Sequence, residues 1–129
     1  MIPQEIAQSS PLVAVIDDDP AVCNSLKFSL ELEGFRMWTF AGGAELLRAS
    51  NIGVCHCFVV DQKMPGMSGL ELIGKLRERN IASPAILIIS QSSIALSARA
   101  EKAHVPIVEK PLLGNALLDH IREACRSAE

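Results

Sequence analysis

Val59-Val60-Asp61-Gln62-Lys63-Met64-Pro65-Gly66-Met67-Ser68-Gly69 decides the fold. Its apolar start reads as the end of a buried strand, and a single carboxylate appears where that strand opens into a loop. Met64-Pro65-Gly66 reads as a turn, and Ser68-Gly69 leads into a helix that buries Leu70, Ile73 and Leu76 and exposes Lys75, Arg77, Glu78 and Arg79. An acidic residue at the carboxyl end of a parallel strand lies where open α/β sheets place their ligands. Asp also caps turns, so the rest of the chain must decide what Asp61 does.

Working outward from that stretch, four further apolar runs alternate with helical patterns. Leu12–Ile16 is wholly apolar and stops at Asp17-Asp18-Asp19-Pro20, where Asp19 serves as N-cap and Pro20 as the first helical residue. The helix from Pro20 to about Glu33 carries Val22, Cys23, Leu26 and Leu30 on one face and ends at Gly34. Phe35 to Phe40 reads as a second strand, Ala44 to Ser50 as a short helix, and Cys55 to Val60 as the third strand. Ala85–Ile89 follows Pro84 as the fourth strand, and Ser92 to Ala103 is a weaker helix rich in Ala and Ser. Val105 to Val108 is a fifth strand, and Leu112 to about Ser127 closes the chain with Leu113, Leu117, Ile121 and Ala124 on one stripe.

This alternation predicts an α/β fold, a doubly wound five-stranded parallel sheet with five helices. The first, third and fourth runs are the most apolar and belong in the centre; Arg36 and Pro106 mark the second and fifth as edges. The order 2-1-3-4-5 satisfies both conditions with right-handed crossovers. It sets the ends of strands one and three side by side where the winding reverses, so Asp17 and Asp18 meet Asp61. Two unit charges about 5 Å apart at an effective dielectric near 20 repel by roughly 3 kcal/mol. Such a cluster must take up a proton or hold a cation, and hard oxygen ligands without thiolate or imidazole suit Mg²⁺. Lys110, at the end of strand five, reaches the same crevice from the other side.

Composition limits the alternatives. The chain has 129 residues, 49% of them hydrophobic, which fits one domain with one core. A net charge of −3 with no basic stripe excludes nucleic acid as a direct partner. Residues 1–11 read as a flexible arm ahead of a domain over residues 12–127, with no output domain in the chain. The start lacks the basic and apolar parts of a secretory signal, and no run is long enough to cross a bilayer. The expected location is cytoplasmic. Cys55-His56-Cys57 is the only metal-like Cys/His cluster; read as strand, it sends both cysteines to one side and His56 to the other, and no second pair follows at zinc spacing. Buried free thiols are the expected state of all four cysteines.

At Asp17-Asp18, at Asp61 with Met64-Pro65 and Ser68-Gly69, and at Lys110-Pro111, the chain resembles the receiver domain of two-component response regulators, from about Leu12 to Arg126. The resemblance implies that Asp61 accepts a phosphoryl group from a phosphohistidine on a sensor histidine kinase or phosphotransfer protein. It implies Mg²⁺ held by Asp18, by Asp17 through water, by Asp61 and by the backbone carbonyl of Lys63, with Lys110 pairing phosphate oxygen. A cis Lys110-Pro111 bond and a partner or dimer surface on helix four, strand five and helix five belong to the same pattern. The chain would then be a switch rather than an enzyme.

Two positions depart from the family. A Thr or Ser is usual five residues after a proline like Pro84, and here that residue is Ile89, with Ser90 next; an aromatic is usual three residues before the lysine, and here it is Ile107. Because a hydroxyl belongs at the wet end of an apolar run, Ser90 is expected at the hydroxyl position. The competing register puts Ile89 there and favours a pseudo-receiver, a constitutive interaction module. An Asp-nucleophile phosphatase would need a second carboxylate just after Asp61, where Gln62-Lys63 stands. A nucleotide binder would need a phosphate-cradling glycine loop, and Ser/His/Asp catalysis a Gly-x-Ser-x-Gly elbow; the chain has neither.

Overall fold

The apolar runs become five parallel strands, the three central ones buried on both faces and the two edge strands partly exposed. A computed structural model describes residues 10–112 and 114–127. In chain order these hold β1 (Leu12–Ile16), α1 (Pro20–Leu32), β2 (Arg36–Phe40), α2 (Gly43–Arg48), a 3₁₀ turn (Ile52–Val54), β3 (Cys57–Asp61), α3 (Gly69–Glu78), β4 (Ala85–Ile89), α4 (Ile94–Lys102), β5 (Ile107–Glu109) and α5 (Ala116–Ser127). The strand order is β2-β1-β3-β4-β5, as the apolar ranking required.

Alternation along the strands divides the core in two. Ala14, Ile16, Phe58, Val60, Leu87 and Ile89 pack with α2, α3 and α4, through residues such as Leu46, Leu72 and Ala100. Val13, Val15, Cys57, Val59, Ile86 and Ile88 pack on the other face with α1 and α5, through Cys23, Leu30, Leu117 and Ile121. Asp19 caps α1 by accepting from the Ala21 N–H at 3.0 Å, with Pro20 leading the helix as its fixed φ allows.

Several boundaries differ from the sequence reading. β3 begins at Cys57, not Cys55, because the 3₁₀ turn runs up to Cys55, whose N–H donates back to Ile52 O. Cys55 therefore lies before the strand, and the two cysteines sit in opposite halves of the core rather than on one side. Burial pushes the Cys55 thiol up to about 11 and drives that of Cys57 upward as well, so neither offers a thiolate. β5 starts after Pro106, whose carbonyl accepts from Leu87 N–H at 2.9 Å. The edge position stands, but the proline is not inside the ladder. Leu70 is half-buried, and Leu72 takes the buried place beside Ile73 and Leu76. α5 starts at Ala116 rather than Leu112; Leu113, expected on its stripe, lies outside the described residues, as do residues 1–9 of the expected arm. Ser10 and Pro11 are described, and both carbonyls accept from Arg36.

Candidate functional site at the carboxyl end of the sheet

Register builds the site. Ile16 pairs with Val60, so the next residues on the two strands, Asp17 and Asp61, stand side by side. Asp17 N–H donates to Phe40 O at 3.1 Å, and its Oδ1 accepts from Asp19 N–H at 2.9 Å, which fixes the carboxylate over the end of β1. Asp17 and Asp61 are 3% and 4% exposed, the only buried charged residues among those described. Asp18 is exposed beside them. One ligand oxygen from each of Asp17, Asp18 and Asp61 lies within 4.8 Å of the others.

Lys110 enters from β5. Its N–H donates to Ile89 O at 2.7 Å, and Nζ reaches across to Asp61 Oδ1 at 3.5 Å and Asp17 Oδ2 at 3.7 Å. The Lys110-Pro111 bond is cis. The approach to Asp61 is an ion pair without hydrogen-bond geometry: among the described residues, Asp61 Oδ1 is the single buried side-chain oxygen or nitrogen that has no hydrogen-bond partner. Burial, then the Asp17 charge, hold the Asp61 carboxyl above its ordinary pKa; Lys110 opposes this, and Asp18 adds to it. One cation does not balance three carboxylates. A buried, unpartnered carboxylate oxygen facing two more carboxylates fits a hard divalent cation.

The loop after Asp61 is closed by its own neck. Gln62 N–H donates to Ile88 O at 2.9 Å, Gln62 O accepts from Gly69 N–H at 3.0 Å, and Gln62 Oε1 accepts from Leu70 N–H at 2.9 Å. Ser68 and Glu71 complete a capping box. Gly69 has no room for a side chain, since a Cβ would stand 2.7 Å from Asp61 O and 2.7 Å from Leu87 Cδ1. Sequence reasoning gave Gly69 only as part of the matching Ser68-Gly69 pair and Gln62 only as the missing carboxylate of a phosphatase, with no structural role for either. A glycine at the first position of a helix is a readable sign of close backbone approach; nothing in the sequence marks an amide that caps a helix eight residues on.

The structure gathers Asp17, Asp18, Asp61 and Lys110 in one crevice. Ile89 is 2% exposed, belongs to the core and offers its carbonyl to Lys110. Ser90 is exposed and faces an open cavity of about 510 Å³ lined also by Gln62, Lys63, Met64, Ser68 and Ile89. Ser90 was expected beside the Asp61 carboxylate; it lies just past the end of β4 and is exposed, while Ile89, the residue of the competing register, is buried. The apolar run extends through Ile89, and the hydroxyl falls one residue beyond the strand. Lys63 is exposed on the loop, and Ile107 is half-buried against the core. No helix among the described residues is long and apolar enough to cross a membrane.

Known proteins share this arrangement. The response regulator receiver domain family matches residues 13–122. The transcriptional regulatory protein FixJ of Azorhizobium caulinodans is 36% identical over 119 residues, covering 91% of this chain and 56% of FixJ. The C4-dicarboxylate transport transcriptional regulatory protein DctD of Pseudomonas aeruginosa is 34% identical over 113 residues, 87% of this chain but 24% of that protein. Among solved structures, response regulator StyR is 34% identical with a TM-score of 0.84, covering 93% of this chain and 61% of that one. A CheY-like receiver domain protein from Methanospirillum hungatei is 26% identical with a TM-score of 0.84, covering 93% and 97%. The chain thus spans only part of the curated relatives it matches. With strand order, carboxylate cluster and lysine in agreement, the chain belongs to the response regulator receiver domain family.

Proposed function

We propose that this domain is a phosphorylation-driven switch that accepts a phosphoryl group on Asp61. The observation that carries the reading is Asp61 Oδ1, buried without a hydrogen-bond partner, 3.5 Å from Lys110 Nζ and grouped with Asp17 and Asp18. In the reaction a carboxylate oxygen of Asp61 forms a bond to phosphorus, the phosphorus–nitrogen bond of a partner's phosphohistidine breaks, and the imidazole leaves with that electron pair. An acyl phosphate results. The chain's own contribution is positioning and charge. Packing of β1 against β3 holds the carboxylates in place, and Lys110 moves from balancing carboxylates to pairing phosphoryl oxygen. Asp18, Asp17, Asp61 and the Lys63 carbonyl would hold Mg²⁺, which when bound supplies positive charge to the transferring phosphoryl oxygens. The domain promotes its own phosphorylation and hydrolysis without turning over a separate substrate, so it is a switch rather than an enzyme.

The partners we propose are a sensor histidine kinase or phosphotransfer protein, and an effector or second copy on the surface of α4, β5 and α5, where Ile94 is 91% exposed. The proposed setting is the cytoplasm. A second reading, the constitutive interaction module, draws on one observation: Ile89 is buried at the end of β4, and Ser90 beyond it is exposed. Acetyl phosphate with Mg²⁺, followed by intact-mass measurement, separates the two. The switch gains the mass of one phosphoryl group, Mg²⁺ removal prevents the gain, and Asp61→Asn abolishes it. An unmodified wild-type chain would establish the second reading.

A further inference from the structure

Gln62 is bound on both sides. Its backbone joins β4 through Ile88 O and α3 through Gly69 N–H, and its side-chain Oε1 takes the Leu70 N–H at 2.9 Å. Ser68 Oγ takes the Glu71 N–H at 3.2 Å. The N–H groups of Gly69, Leu70 and Glu71, which a helix start would otherwise leave open, are all taken by protein groups. The start of α3 is therefore a closure, with no donor left among these for an anion. The Gln62 amide has one possible orientation here, because only its oxygen can accept from an N–H.

This closure stands between the two parts of the carboxyl end that must stay in register. Asp61 precedes the neck and Lys63 follows it. The neck has no slack on its far side, since the space above Gly69 is filled by Asp61 O, Gln62 Cα and Leu87 Cδ1. A chain that leaves β3 at Asp61 and returns at Gly69 is thus tied by backbone contacts and by one side-chain bond. That side-chain bond is the one element a substitution can remove.

We infer that Gln62 is a positioning residue whose side-chain amide locks the neck of the loop over residues 62–69. It thereby holds Asp61 and the Lys63 carbonyl ready for a divalent cation. The inference rests on the cation site proposed above. Mg²⁺ tolerates little departure from its preferred geometry, so a site that must first be ordered binds it more weakly than one already held. Coupling of this kind is reciprocal: if the closed neck favours the cation, the cation favours the closed neck by the same factor.

Calorimetric Mg²⁺ titration and amide hydrogen exchange on the full chain test this with wild type, Gln62→Met and Gln62→Glu. Gln62→Met, similar in length but without the acceptor, should weaken Mg²⁺ binding about fivefold or more and speed exchange at the Leu70 amide. Gln62→Glu keeps an acceptor and should preserve both the Leu70 protection and an affinity no weaker than wild type. In wild type itself, saturating Mg²⁺ should slow exchange at Leu70, a result that depends on no variant folding. A Gln62→Met chain that loses thermal stability but binds Mg²⁺ as wild type does would mark Gln62 as structural only and overturn the inference. Leu70 exchange indifferent to Mg²⁺ in wild type would overturn it as well. A wild-type chain that binds no Mg²⁺ would overturn the cation site itself, and this role with it.

Discussion

The two ends of the sheet treat their polar groups in opposite ways. At the amino end, Leu12 N–H donates to His56 Nδ1 at 3.0 Å while His56 N–H donates to Leu12 O at 2.8 Å. Ser83 Oγ gives its hydrogen to Cys55 O at 2.7 Å, and Arg77 donates to Ile81 O and Ser83 O. At the carboxyl end, three carboxylates crowd together, two of them share one lysine, and one buried oxygen has no hydrogen bond. The same strands make both ends, so the difference is not one of fold. One end is built to be stable, and the other holds charge in reserve for a ligand. Substitutions at the amino end should therefore change stability and leave chemistry alone, while those at the carboxyl end should do the reverse or both.

The largest stability effect is expected at Gly69, on the carboxyl side. Gly69→Ala places a methyl group against Asp61 O and Leu87 Cδ1, and backbone oxygen cannot swing away as a side chain can. A loss of about 2–3 kcal/mol in urea unfolding is expected, as for overpacked cores. Since the displaced atom belongs to Asp61, phosphorylation should slow in the same variant. Full-rate phosphorylation in a destabilised Gly69→Ala chain would show that the neck and the acceptor are not mechanically linked.

Next comes the amino end. His56→Ala removes the acceptor of the Leu12 N–H, on a residue 3% exposed, and a buried donor left unpaired costs about 1–3 kcal/mol. The chemistry lies at the far end of β1 and β3, so phosphorylation by acetyl phosphate should proceed at the wild-type rate in folded protein. A His56→Ala chain that is fully stable yet slow to phosphorylate would invert the contrast between the ends.

How much of this was open to a reader of the sequence follows from the same contrast. Leu12–Ile16 and Ala85–Ile89 are unbroken apolar runs, and their ends place Asp17 and the β4 neighbour of Lys110 without help from tertiary structure. Asp61 and Lys110 were legible only as a set: either alone could cap a turn or sit in solvent, but the strand order brings both, with Asp17 and Asp18, to one crevice. The start of β3 was not, since the 3₁₀ turn over Ile52–Val54 is set by Asn51 in the left-handed region rather than by an apolar period. The place of Ser90 is hard to read from sequence for a related reason. Polarity predicts which residue is wet, but the end of the strand is set by pairing, and Ile89 still pairs with Glu109. Gln62 was illegible because its partner is the backbone of a helix, which no side-chain pattern announces.

Asp61→Asn should stabilise the metal-free chain, which sharpens the contrast from the functional side. Burial and Asp17 raise the folded-state pKa of Asp61 above its ordinary value, so the folded chain holds this proton to higher pH than the unfolded chain does. Its favourable contribution is complete below the ordinary carboxylate pKa and is lost as pH rises through the raised one; at neutral pH the ionised group is a net cost. Asn removes that charge, and metal-free stability at neutral pH should rise on the order of 1 kcal/mol. The gain should vanish at a pH below the ordinary carboxylate pKa, and Mg²⁺ should stabilise wild type more than the variant. A metal-free Asp61→Asn chain less stable than wild type at neutral pH would mean that Lys110 more than offsets the crowding.

Ser90→Ala should do least of all, although it lies close to the crevice in sequence and lines the cavity beside it. Its side chain is exposed, and surface substitutions of that kind fall within about 0.5 kcal/mol of wild type. Ile89 pairs with Glu109, its carbonyl accepts from the Lys110 N–H, and its side chain is committed to the core with Leu87 and Val60. The rate of phosphorylation by acetyl phosphate and the lifetime of the acyl phosphate should therefore stay within about twofold of wild type in Ser90→Ala. A tenfold change in either would mean that the start of α4 rearranges on phosphorylation and brings the hydroxyl in. The carboxyl end would then have a second, mobile half that the unphosphorylated sheet does not display.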